Sequence, residues 1–344
     1  MMGGKSMDTK LNKEIYIDLY KYLKISRRFG EKIVELGNIG EIPGFIHSAV
    51  GMEASGVGIC YALQKADIVV PTHRKPAQLL TKGANIKYMM AEYMGKASGF
   101  NRGKGGELHC SPDLKTGVMS VESQVAVGLV PIACGIALAS KFRKENRVVV
   151  SFYGDGGANE GAVHESMNMA AVFDLPVLFV CDNNGFAVTT PSSDSSKLEN
   201  LSERAQSYGF SGTTIDGMDV VNVFKTAKGI IEKIREGSGP FLLECKTYRF
   251  HGHYSGEDLL RLDYRTKEEI ESWKARCPVK SCCKYLINEK ICNKDELDKI
   301  DQSVEAALDE AVEFARNSKY PEPEDALKDM YASEYEGIPD KGWV

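Results

Sequence analysis

Little in this sequence would hold it in a membrane, on a nucleic acid or in an oxidising compartment. The most apolar stretch, Gln124 to Lys141, is interrupted by Pro131 and falls short of the about 20 apolar residues that a membrane span needs. No basic cluster interleaved with aromatics is present, and a formal charge of −5 gives no support for a nucleic-acid partner. The cysteines number nine, an odd count, and Cys134 and Cys181 fall in buried-looking segments. Reduced thiols fit that pattern better than a disulfide framework. Cys277, Cys282, Cys283 and Cys292 include no CxxC pair and no neighbouring His, which favours helix packing over zinc. Residues Met1 to Ser6 carry neither the apolar core of a signal peptide nor an Arg-rich amphipathic pattern, so the expected location is cytoplasmic. Internal repeats and low-complexity linkers are also lacking.

What is present is an ordinary globular composition, 43% hydrophobic and 26% charged, in 344 residues, enough for a large α/β core. The chain is organised around the stretch from Arg147 to Asn184. The β-branched run Val148 to Tyr153 reads as a buried strand, followed by Gly154-Asp155-Gly156-Gly157. A helix is expected from about Ala162 to Phe173, with Val163, Met167, Ala170 and Ala171 on one face. Pro176 opens a second buried strand, Val177 to Cys181, which runs into Asp182-Asn183-Asn184-Gly185. Such a strand–helix–strand unit makes the strands parallel and the crossover right-handed.

In a parallel sheet both strand ends open onto one crevice, so Asp155 and Asn184 meet there. A carboxylate and an amide offer hard oxygens, which suit Mg²⁺ or Ca²⁺. Glycines let backbone N–H groups approach an anion, and the following helix turns its positive end toward the site. The pattern points to a metal-diphosphate site. Gly-Asp-Gly by itself is more often a simple turn; its pairing with Asn183-Asn184 is what makes the signal specific.

Those motifs, together with Glu165 to Ala171 and Leu175-Pro176, resemble the alpha subunit of the thiamine-diphosphate-dependent decarboxylating component of 2-oxo acid dehydrogenase complexes, a family that includes acetoin dehydrogenases. The resemblance implies an α/β thiamine-diphosphate-binding fold, a doubly wound parallel sheet flanked by helices. It further implies that Asp155, Asn184 and the Phe186 carbonyl hold Mg²⁺, and that Arg74, Gly156, Gly157, Glu160, Arg249 and His253 surround the diphosphate. The aminopyrimidine would be held at the turn containing Gln124 and Ala126, which departs from the family's Gly-rich pattern.

A second departure concerns the acid–base groups. The family normally has a His two residues after the counterpart of Arg74, and here that position is Pro76. His253, His73 and His47 are therefore the candidate catalytic groups, and His109 a candidate lining residue. The implied partners are a beta subunit in an α2β2 heterotetramer, a lipoyl-bearing acyltransferase, and a small 2-oxo acid or acyloin substrate. The expected reaction is pyruvate-type decarboxylation with acyl transfer to lipoyl. Acetoin cleavage and a noncatalytic homologue, the latter motivated by Pro76, are the alternatives.

Around this unit, helices are expected at Leu11 to Leu36, Lys87 to Ala97 and Gln124 to Lys141, the last buried and at a subunit interface. Further strands are expected at Ser211 to Ile215 and Pro240 to Lys246, and a helix capped by the Asp216 to Asp219 segment runs to about Arg235. Asn101 to His109 reads as a flexible basic glycine loop, and Thr266 with Glu269 as a capping box. Residues 11–332 are expected to form one domain, with a flexible start at 1–10 and a tail at 333–344.

Overall fold

A computed structural model of the chain describes residues 11–120, 127–257 and 264–329. Five parallel strands form its sheet: β1 Ile68–Val70, β2 Val149–Gly154, β3 Val177–Asn183, β6 Ser211–Asp216 and β7 Phe241–Lys246. Their order is β1-β2-β3-β7-β6. A short antiparallel pair, β4 Phe186–Ala187 and β5 Thr190–Pro191, lies between β3 and β6 in the chain.

The strands read as near-continuous apolar runs because both faces are covered. Val149, Tyr153, Phe179 and Cys181 face a core built with α5 Val130–Phe142 and α6 Gly161–Val172. Val150, Phe152, Leu178 and Val180 face the opposite core, built with α2 Glu53–Tyr61 and α8 Val220–Arg235. From β1 to β2 to β3 the chain steps one way across the sheet through α5 and α6. From β6 it steps back to β7 through α8 on the other face, as right-handed crossovers require. This reversal makes the sheet doubly wound and leaves a crevice at the carboxyl ends of the strands.

Helices outside the sheet brace the segments that reach the crevice. In α1, Lys13–Asn38, the apolar stripe is broken by Arg27, and that break has a partner. The buried Arg27 guanidinium donates to both carboxylate oxygens of Glu53 at the start of α2, at 2.6 and 3.0 Å. Glu53 also accepts from the Gly51 backbone, so the pair anchors the loop ahead of α2. The remaining helices are α3 Pro76–Thr81, α4 Ile86–Tyr93, α7 Ser192–Ser195, α9 Lys267–Ala275, α10 Pro278–Asn288 and α11 Lys294–Asn317. Among the described residues, no helix is long and apolar enough to cross a membrane.

Several boundaries differ from expectation. Helix α4 ends at Tyr93 and not near Ala97, because Gly95 turns into the left-handed region at φ 68°. The helix expected from Gln124 begins, within the described residues, at Val130, with Pro131 in the first turn of α5, where its missing N–H costs nothing. Only one side of α5 is buried, while Ile132 and Phe142 on its outer side are 45% and 79% exposed. Thr266 caps α9 by accepting from the Glu269 backbone N–H. Reciprocal capping boxes are formed by Asn293 with Glu296 at the start of α11 and by Glu322 with Asp325 beyond its end. Cys277, Cys282 and Cys292 pack in a core with α1, and Arg27 donates to the Cys277 sulfur. The expected flexible start, the tail at 333–344 and the turn with Gln124 and Ala126 lie outside the described residues.

Candidate active site

Pairing of Gly154 with Asp182 across β2 and β3 sets the two strand ends side by side. Asp155 follows one end and Asn184 the other. Both line a crevice of about 310 Å³, together with Gly156, Gly157, Glu160, Phe186 and, from the opposite wall, His73, Arg74 and His253. A larger cleft of about 570 Å³ lies between the start of α8 and helices α9 and α10, but it receives none of these strand-end groups.

Gly156 has an ordinary right-handed conformation, φ −62°, so a turn does not require glycine there. Space does: a Cβ at Gly156 would stand 2.6 Å from the Ala187 Cβ, and one at Gly157 would stand 2.5 Å from Val127. Bare backbone therefore faces the crevice under the β4–β5 hairpin. Val188 in that hairpin has φ 57°, an outlying conformation for a β-branched residue. Its carbonyl accepts from Arg249 Nη2 at 2.9 Å, which fixes the strained position.

The charges around the crevice are buried and poorly compensated. Arg74 is 6% exposed and donates to the carbonyls of Ser48 and His253, each at 2.7 Å. Burial, and then repulsion from Arg249, pulls its pKa down to about 9. Arg249 is likewise depressed by burial, and its Nε and Nη1 have no partner among the described residues. On the strand-end side, Asp155 is 2% exposed with an unpartnered Oδ2, and burial raises its pKa. Asp182 is pushed up to about 7, by burial first, with an unpartnered Oδ1. Among the described residues, neither guanidinium is in an ion pair, and each carboxylate leaves one oxygen without a hydrogen-bond partner. The residues present thus fit an anionic group carrying a divalent cation.

Three histidines gather beside Arg74. Ring centroids of His47 lie 4.9 Å from His73 and 5.0 Å from His253. Burial, then Arg74, holds the His73 pKa well below the usual histidine range and pulls His253 down to about 3. Both rings are neutral near pH 7. Bonds from Phe250 N–H to Val50 and from Ser255 N–H to Ile46 hold the two histidine-bearing loops together.

The sequence-predicted residues Arg74, Asp155, Gly156, Gly157, Glu160, Asn184, Phe186, His73 and His253 all line the crevice. Arg249 stands behind Val188 and reaches the wall through it, and His47 stands behind His73 and His253. His109 does not line the crevice. Pro76 is buried in the first turn of α3, where its fixed φ favours helix initiation. The supposedly flexible glycine loop is built around a fully buried carboxylate. Glu92 accepts backbone N–H groups from Asn101, Gly103, Gly105 and Gly106 at 2.7 to 3.1 Å.

Sequence reasoning missed Asp182, Glu92, Glu107 and Glu244. Three of the four left a legible signal, namely an acid inside an otherwise apolar helix or strand, which must be paired or functional. Glu107, in a polar loop, left none.

An open parallel sheet whose strand ends join bare glycine backbone, a buried carboxylate and a cationic wall is the arrangement of the thiamine-diphosphate-binding fold. The chain belongs to the dehydrogenase E1 component family, whose model matches residues 21–324. Membership makes it an oxidoreductase of the 2-oxo acid dehydrogenase type, and the components of this family are thiamine-diphosphate enzymes. It is 38% identical to the alpha subunit of acetoin:2,6-dichlorophenolindophenol oxidoreductase from Bacillus subtilis, covering 95% of this chain and 96% of that one. The corresponding subunit from Cupriavidus necator is 39% identical over 94% and 96%. The pyruvate dehydrogenase E1 component subunit alpha of Rickettsia felis is 36% identical over 96% and 100%.

Proposed function

We propose that this chain is the alpha subunit of a pyruvate-type 2-oxo acid dehydrogenase, using thiamine diphosphate with Mg²⁺ and passing the acyl group to a lipoyl domain. The observation that carries the reading is the pair of buried guanidiniums, Arg74 and Arg249, set against the buried Asp155 carboxylate, whose Oδ2 has no partner among the described residues. Asp155, Asn184 and the Phe186 carbonyl hold Mg²⁺ through hard oxygens. Arg74, Arg249, Glu160, His253 and the backbone of Gly156 and Gly157 surround the diphosphate, and Gln124 and Ala126 serve the aminopyrimidine end. When bound, the cofactor supplies the carbanion chemistry. The protein orients it, excludes water and handles protons through His47, His73 and His253.

The chain acts in an α2β2 assembly with a beta subunit, docked on a lipoyl-bearing acyltransferase in the cytoplasm. Exposed apolar side chains on α5 and at the end of α6 support burial against a neighbour: Ile132, Phe142, Val172 and Phe173. Acetoin cleavage is a second reading, favoured by the 38% and 39% identity to acetoin-oxidising subunits. Both readings predict turnover, against a noncatalytic role.

The test is turnover by the chain reconstituted with its beta partner, against a panel of 2-oxo acids and acetoin. Cofactor-dependent activity on pyruvate or a close 2-oxo acid is expected. Activity on acetoin alone would transfer the assignment to the second reading, and activity on none would defeat both.

A further inference from the structure

Glu107 follows directly on the two glycines that Glu92 holds, so its backbone direction is set by that buried carboxylate. Its own side chain is 3% exposed and clamps His47 twice. The His47 backbone N–H donates to Oε1 at 3.3 Å, and the ring Nδ1 lies 3.2 Å from Oε2. A carboxylate can only accept, so His47 carries its hydrogen on Nδ1 and leaves the lone pair on Nε2. His253 is set the other way. Arg74 Nη2 lies 3.1 Å from His253 Nδ1, and a guanidinium can only donate, so the His253 hydrogen is on Nε2.

We propose that Glu107 is a positioning residue that holds His47 with its lone pair on Nε2 beside His253, a neutral donor of opposite tautomer, so that the histidine wall of the crevice carries one acceptor and one donor. The inference rests on the function proposed above. Of the three rings, His73 and His253 line the crevice, and His47 packs against both. His73 and Arg74 flank the pair. Arg74 opposes a positive charge on His253, and no group other than Glu107 is hydrogen-bonded to His47 among the described residues. The two neighbouring rings therefore present a lone pair and an N–H from opposite tautomers.

The experiment uses the full chain with labelled histidine, which contains only six such residues, and nitrogen NMR to read each tautomer. Wild type is expected to show His47 protonated on Nδ1 and His253 on Nε2. Glu107→Ala should lose the His47 preference, whereas Glu107→Gln keeps it through the amide oxygen but lacks the charge. In the reconstituted complex both variants should lose about 10–100-fold in kcat with little change in KM. A His47 tautomer unchanged in Glu107→Ala, or wild-type kcat in both variants, would overturn the proposal. The spectrum judges the pair even if the complex turns over no substrate, so that failure counts against the function alone.

Discussion

Asn183 donates its side-chain N–H to Glu244 Oε1 at 2.7 Å, tying the end of β3 to the middle of β7. Its carbonyl oxygen accepts from the Gly185 backbone, which turns the chain away from the sheet. Asn183 is thus a strut, and its neighbour Asn184 is the one that lines the crevice. Glu244, fully buried, also accepts from Thr214 at 2.7 Å, the Ser202 backbone at 3.0 Å and Lys246 at 2.8 Å. The two adjacent asparagines have different duties because Asn183 closes the strand and Asn184 opens the turn beyond it.

Replacing Glu244 by Ala strands several buried donors at once. We expect a loss of about 2–4 kcal/mol in urea unfolding at neutral pH. Burial alone would raise the Glu244 pKa, but hydrogen bonds from Lys246, Asn183 and Thr214 outweigh it and hold the group low. The unfolded chain then binds the proton first. Stability is full above the ordinary glutamate value of about 4.3 and falls as pH drops through it and below. Glu244→Gln should flatten that acid slope, and an identical slope in the variant would remove Glu244 as its source.

Asp155→Ala and Asn184→Ala should abolish Mg²⁺-dependent binding of thiamine diphosphate while the chain stays folded. Both side chains sit just past strand ends and contribute little core area. Titration calorimetry on variants with native circular dichroism decides the matter. Near-native affinity would end the metal assignment.

Glu92→Ala leaves four backbone N–H groups of the glycine loop without their acceptor. The expected cost is roughly 3 kcal/mol, since each stranded donor retains part of its desolvation penalty. Trypsin should then cut at Arg102 or Lys104, which the native loop protects. Limited proteolysis followed by mass analysis reads this directly; resistance equal to wild type would count against the buried carboxylate as organiser.

His73 and His253 should stay neutral from about pH 8 to about pH 5, where an ordinary histidine titrates. Burial and Arg74 depress both, His253 to about 3. A depressed histidine contributes stability above its unfolded value of about 6.5 and loses it as pH falls, because the unfolded chain takes up the proton first. NMR titration of the labelled chain checks this. An inflection for His253 near the ordinary value would contradict the Arg74 contact.

The central strand–helix–strand unit was legible within a residue or two. Its apolar runs are long, both faces of the sheet are buried, and Gly154-Asp155 and Asn183-Asn184 mark the strand ends. Arg74 and His253 were reached by family resemblance, since a lone Arg or His after a strand carries no such meaning in composition. The end of α4 and the start of α5 differ from expectation, as a glycine or a proline near a boundary reads equally well on either side of it.

By itself, the sequence determined the parallel sheet, the place of the crevice and the residues delivered by adjacent strand ends, because those follow from periodicity and short-range connection. Only the tertiary structure decided which distant groups meet there. Arg74 touches His253 from 179 positions away, and Glu107 clamps His47 across 60. No local pattern encodes such contacts. They arise where loops from different strands are pinned against each other, and burial then changes what the gathered side chains can do, leaving Asp155 in need of a cation and His253 without a charge.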